Sequence, residues 1–120
     1  MGRIQESGEM YLETILILSR CSEKVRSIDI GEYMGFSKPS VSRALSNLKD
    51  EGYVQIDENK GIMLTDTGRE YAEKIYERHQ VLTRMFVSFG VDEKTAEEDA
   101  CKVEHIISDV TFEAVKKKFG

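Results

Sequence analysis

Cysteine, histidine, proline and long apolar runs are all scarce in this chain, and each scarcity excludes something. No window approaches the roughly 18 to 20 uninterrupted apolar residues that a membrane span requires, and the N-terminal residues 1–8 lack the apolar core of a signal peptide. Membrane insertion and export are therefore not expected, and a cytoplasmic location is. The two cysteines, Cys21 and Cys101, are far apart in sequence and cannot form the disulfide framework of a small secreted domain. Reduced thiols are expected, with Cys21, at the end of the first helix, a buried structural thiol. With only two histidines in 120 residues, a motif that contains one is not a by-product of composition. No glycine-rich nucleophile turn supports Cys101 as a nucleophile with His105 as its base, two residues that would share one helix, which argues against an enzyme; no small organic substrate is expected.

What is present reads as a single small domain or two packed subdomains, since domains run to roughly 100 to 150 residues. No internal repeat or low-complexity segment occurs. The net charge of −5 opposes indiscriminate nucleic-acid binding, yet residues 36–49 carry Lys38, Arg43 and Lys49 without an acid. One basic element for DNA remains available.

Apolar periodicity gives helices almost throughout. Residues 8–20 form a helix with Tyr11, Ile15 and Leu18 on one stripe, and Ser27 opens a short helix that Gly35 closes. Ser37 then caps a helix that holds Pro39, the single proline, in its first turn. Within it Val41, Ala44, Leu45 and Leu48 recur at i, i+3, i+4 and i+7, leaving Lys38, Pro39, Ser40, Arg43 and Asn47 on the free face. Helix, glycine turn and second helix with a short, polar, basic face make a helix-turn-helix, whose second helix enters the major groove. Arg43 suits a guanine edge or a phosphate; Ser37 and Ser40 suit phosphates or base edges.

Two short alternating runs, Tyr53 to Ile56 and Ile62 to Leu64, flank a polar turn that ends in Gly61 and read as a β-hairpin. A hairpin at this place makes a winged helix, with Lys60 at its tip facing a phosphate. A long amphipathic helix over 66–88 follows, with Tyr71, Ile75, Leu82 and Phe86 among its apolar positions. Gly90 ends it, and Asp92 starts another helix. The expected fold is thus mainly α: a winged helix-turn-helix DNA-binding domain over 1–68, then a helical metal-binding and dimerisation domain over 69–120. Among the later apolar residues, Val103, Ile106, Ile107, Val110 and Phe112 must be divided between intrachain core and a dimer face, which period alone does not do.

Cys101, Glu104 and His105 stand at i, i+3 and i+4, one face of a helix within about two turns. Thiolate, carboxylate and imidazole together suit a transition metal, with the remaining positions supplied from elsewhere. On composition alone the same residues also read as a buried cysteine beside two solvated polar groups.

The chain resembles the diphtheria-toxin-repressor family of metal-dependent transcriptional repressors, in a short form without an SH3-like domain. The resemblance spans essentially the whole chain and rests on Glu-Met-Tyr-Leu-Glu-Thr-Ile at 9–15, Ser-Lys-Pro-Ser-Val-Ser at 37–42, Leu-Thr-Asp-Thr-Gly-Arg at 64–69, Arg-His at 78–79 and Asp-Ala-Cys-Lys-Val-Glu-His-Ile-Ile-Ser-Asp at 99–109. It implies that Met10 joins Cys101, Glu104 and His105 in the site that couples metal to DNA binding. It also implies a second set: His79, with Glu97 where iron sensors place a histidine and Glu13 as in the manganese branch. Thr83 stands where that set has a carboxylate. The implied protein is a homodimer that binds double-stranded operator DNA when loaded with Fe(II), favoured by the sulfur donors, or next with Mn(II). The alternative is a metal-independent winged-helix regulator that responds to another ligand or partner.

Overall fold

The computed structural model describes residues 6–120. Its elements run α1 (Glu6–Cys21), α2 (Ser27–Met34), α3 (Lys38–Asp50), β1 (Val54–Ile56), β2 (Ile62–Leu64), α4 (Asp66–Ser88), α5 (Glu93–Val103) and α6 (Asp109–Phe119). Two compact units divide the chain, Met1–Glu73 and Lys74–Gly120, with the division falling inside α4. The architecture is mainly α, a winged helix followed by helices, in line with the sequence. No helix among the described residues is long and apolar enough to cross a membrane.

In the first unit α1 lies against α2, α3 and β2, and α3 against α2 and β1. Their shared core holds Leu12, Ile15, Leu16, Ile30, Val41, Leu45, Leu48, Val54 and Ile62. The turn between α2 and α3 needs Gly35, whose φ of 73° and ψ of 27° are left-handed and whose N–H closes onto the Gly31 carbonyl. Ser37 caps α3 by accepting the Ser40 N–H through its side chain, with Pro39 in the first turn.

The wing pairs Val54 with Leu64 and Ile56 with Ile62 in antiparallel register. Asp57 builds its turn: Oδ1 accepts the N–H groups of Asn59 at 2.9 Å and Gly61 at 2.7 Å. Lys60, at the tip, takes a left-handed φ of 62°. β2 is also held from its other edge, where the Ile62 N–H donates to the Val25 carbonyl at 2.7 Å. At the start of α4, Thr65 Oγ1 accepts the Gly68 N–H at 3.0 Å. A Cβ at Gly68 would stand 1.9 Å from the Tyr53 carbonyl oxygen, so only glycine fits there.

Three expectations change. The buried stripe of α1 is broader than Tyr11, Ile15 and Leu18: Leu18 is only half-buried, while Glu9, Leu12, Glu13 and Leu16 are buried. Cys21 is exposed, not a buried thiol, because it falls where α1 ends and the chain turns into a polar loop. The helix carrying Cys101 stops at Val103, so Glu104 is its C-cap and His105 lies in the turn beyond.

In the second unit the buried apolar residues are Ile75, Val81, Leu82, Ala96, Ala100 and Phe112. Asp92 caps α5 by accepting the Thr95 N–H, and Ser108 caps α6 by accepting that of Thr111. The Asp92 carboxyl is held below its ordinary value by that backbone hydrogen bond. Lys116 reaches Glu77 at 2.8 Å. Of the late apolar residues, Phe112 belongs to the core, Val103 and Ile107 are half-buried, and Ile106 and Val110 are exposed.

Candidate metal centre

The centre in the second unit is a carboxylate between two imidazoles. Glu104 is wholly buried. Its Oε2 lies 2.9 Å from His79 Nδ1 and its Oε1 lies 3.2 Å from His105 Nε2. An ionised carboxylate is costly to desolvate unless cations or hydrogen-bond donors face it, and both of its oxygens face groups that supply them. The Glu104 hydrogen bond raises the His79 pKa above its ordinary value, outweighing the burial that would lower it. Tyr76 stacks on the His79 ring at 6.4 Å between centroids.

Cys101, on the last full turn of α5, completes the cluster. One donor atom each from Cys101, Glu104 and His105 lies within 4.8 Å of the others. The spacing that produces this is helical up to Val103, and Glu104 keeps helical angles at φ −58° and ψ −27°. The i, i+3, i+4 face thus survives the end of regular hydrogen bonding. One thiolate, one carboxylate and one imidazole, at short mutual distance and mostly buried, fit a divalent transition ion and do not fit the all-oxygen preference of magnesium or calcium.

The other expected ligands lie on α1 and α5. Met10 is half-buried and Glu13 buried, three positions apart on α1 in the first unit. Glu97 is exposed on α5, where its charge helps to raise His79. Thr83 donates its hydroxyl to the His79 carbonyl at 2.7 Å, within its own helix.

For DNA, the first unit presents Ser37, Lys38, Pro39, Ser40, Arg43 and Asn47 exposed on α3, while Val41, Leu45 and Leu48 face the core. Lys60 is exposed at the wing tip. The Ser37 hydroxyl is already engaged, accepting the Ser40 N–H at 3.3 Å and donating to Ser40 Oγ at 2.9 Å.

Two charged residues with no role assigned from sequence are buried. Glu9 accepts the Tyr71 hydroxyl at 2.8 Å in the first unit. Arg78 is buried in the second. Their signal was visible: Glu9, Leu12 and Leu16 share one stripe of α1, and Ile75, Arg78 and Leu82 share one of α4. A charge on an apolar stripe marks a buried polar contact.

A winged helix-turn-helix with a basic recognition face, followed by helices that gather sulfur, carboxylate and imidazole, defines a class of metal-responsive transcription regulators. Comparison with known proteins agrees. Residues 3–62 match the iron dependent repressor N-terminal DNA binding domain. Residues 65–120 match the iron dependent repressor metal binding and dimerisation domain. The chain belongs to the iron-dependent repressor family, whose members are metal-dependent transcriptional repressors and not enzymes.

An uncharacterised HTH-type transcriptional regulator of Methanocaldococcus jannaschii is 35% identical over 115 residues, covering 94% of this chain and 92% of that protein. The transcriptional regulator MntR of Escherichia coli O157:H7 is 31% identical over 106 residues, covering 88% and 68%. The solved structure of the manganese regulator SloR matches with a TM-score of 0.81 at 32% identity, covering 92% of this chain and 52% of that one. The chain therefore spans about half the length of SloR.

Proposed function

We propose that this protein is a cytoplasmic, homodimeric repressor that grips operator DNA when loaded with a divalent first-row metal, Fe(II) first and Mn(II) next. The observation that carries the reading is the buried Glu104 carboxylate, flanked by His79 and His105 with the Cys101 sulfur beside them.

Cys101, Glu104 and His105 are the ligands proposed from the second unit, with Met10 from α1 as a thioether donor. Glu13, His79 and Glu97, with Glu104 shared, are the residues proposed for a second ion. A bound divalent cation supplies positive charge among anionic donors and a link between segments distant in sequence. Thiolate and thioether are soft donors and favour iron over manganese, whereas SloR is a manganese regulator, so the order of metals rests on the sulfur ligands. On the DNA side, Lys38 and Lys60 neutralise phosphates, and Arg43 and Asn47 read base edges in the major groove. Linkage makes the coupling reciprocal: a metal that tightens DNA binding is itself held more tightly on DNA, with typical couplings of about 1 to 3 kcal/mol.

The test is DNA binding by chelator-treated protein titrated anaerobically with Fe(II), Mn(II), Zn(II) and Co(II) at fixed salt, since salt alone moves such affinities by orders of magnitude. A steep gain with metal, lost in Cys101→Ala, is the expected result. Equal binding with and without metal would overturn the reading.

A further inference from the structure

Arg78 sits where the period of α4 places an apolar residue, between Ile75 and Leu82 on the buried stripe. Its Nη1 donates to the Glu104 carbonyl at 3.3 Å and to the Ile107 carbonyl at 3.0 Å. Nη2 donates to the Asp109 carboxylate, and the guanidinium lies over the Phe112 ring, 5.2 Å from its centroid. The two carbonyls bracket the turn that follows α5, where main-chain oxygens have run out of helical partners. A planar fork of five donors reaches several such acceptors at once, which an ammonium group cannot do in the same geometry. His79, the next residue, reaches the side chain of the same Glu104. Consecutive residues of α4 thus hold one glutamate twice, Arg78 by its main chain and His79 by its carboxylate.

We infer that Arg78 is a positioning residue of the metal centre: it fixes the Glu104–Ile107 turn in its ligating shape before any ion arrives. The inference rests on the metal reading proposed above. Glu104 and His105 both lie past the last regular residue of α5, so the helix alone does not hold them. A site already ordered loses little conformational freedom on loading, and that saving appears as affinity. A plain structural buttress would stabilise metal-free and loaded protein alike and leave the metal constant where it was.

The experiment is a Co(II) titration of the full chain, following the thiolate-to-metal absorption that reports Cys101, on the unaltered protein and on Arg78→Lys, Arg78→Met and Asp109→Asn. Arg78→Lys and Arg78→Met are expected to weaken Co(II) binding at least tenfold, within the range that loss of a group supporting a ligand produces. Asp109→Asn removes the charge of an acceptor that is not part of the turn and is expected to keep Co(II) affinity within about twofold while lowering the melting temperature. Unchanged affinity in both Arg78 variants would overturn the inference and leave the metal reading intact. Absence of Co(II) binding by the unaltered chain would remove both. Should the Arg78 variants not fold, hydrogen exchange on the metal-free unaltered protein decides: amides of Ile106 and Ile107 protected like those inside α5 support the inference, and exchange as fast as at a frayed helix end refutes it.

Discussion

Replacing Glu104 by glutamine tests the centre most directly, because it keeps the shape of a fully buried side chain while removing its charge and turning one acceptor oxygen into an NH2 donor. In the metal-free protein two effects oppose each other. The hydrogen bond to His79 loses its charge assistance, which weakens it by about half, and the 3.2 Å contact to His105 loses its charge, while the cost of burying an ion disappears. The metal-free melting temperature is therefore expected to move little. The loaded protein is different. At a free metal concentration one hundred times its dissociation constant, ligation stabilises the fold by about 2.7 kcal/mol. For a chain of this size about 1 kcal/mol moves the melting temperature by about 4 °C, so the unaltered protein gains about 10 °C. Loss of an anionic ligand should weaken the site at least as much as the hundredfold that loss of a supporting group can reach. At the same metal concentration the variant then retains about 0.4 kcal/mol, or about 2 °C. Differential scanning calorimetry with and without Mn(II) or Co(II) reads both numbers. A variant that gains as much from metal as the unaltered chain would refute the assignment of Glu104 as a ligand.

Other expectations follow from single features. Gly68→Ala forces a Cβ against the Tyr53 carbonyl and should cost about 3 kcal/mol or more in urea unfolding; a loss below about 0.5 kcal/mol would mean that this approach relaxes freely. The Asp92 pKa is depressed in the folded state, so its contribution is present above the unfolded value and lost as pH falls through the folded one. Asp92→Asn keeps the cap without the charge, and the melting-temperature difference between the two proteins should shrink below about pH 4. A gap that persisted to pH 2 would contradict it. Lys38→Ala should weaken binding to specific and random duplexes alike and reduce the slope of log affinity against log salt by about 0.9; a loss confined to one sequence would make Lys38 a base reader instead.

The parts of the fold set by local chemistry were legible before any coordinates. Ser37 and Pro39 announce the start of α3 because capping and the proline ring act within one turn. Gly61 and the alternating runs around it announce the wing for the same reason. The Cys101, Glu104 and His105 cluster was legible because their i, i+3, i+4 spacing holds close to a helical face even past Val103, where Glu104 keeps helical angles as the C-cap. What was not legible depended on partners far away in sequence. Leu18 and Leu16 are equally apolar, and only the elements packed around α1 decide that Leu16 is the buried one. The Arg-His motif contains Arg78 without giving it a task, since nothing in the spacing says that its donors reach carbonyls 26 and 29 positions on. Glu9 and Tyr71, 62 positions apart, show the same limit: period places a side chain on a face but does not name what meets it.

The bond from Ile62 to the Val25 carbonyl has a bearing on how the first unit meets a duplex. A hairpin of two three-residue strands would otherwise be a loose finger, free to find a backbone by itself. Tied through the outer edge of β2 to the chain before α2, it acts on the proposed reading like the second jaw of a caliper whose first jaw is α3. On the proposed DNA reading, an operator is then gauged by width as well as by letters, and duplexes whose grooves are narrower or wider than the caliper's opening are expected to bind less tightly even when every base is right.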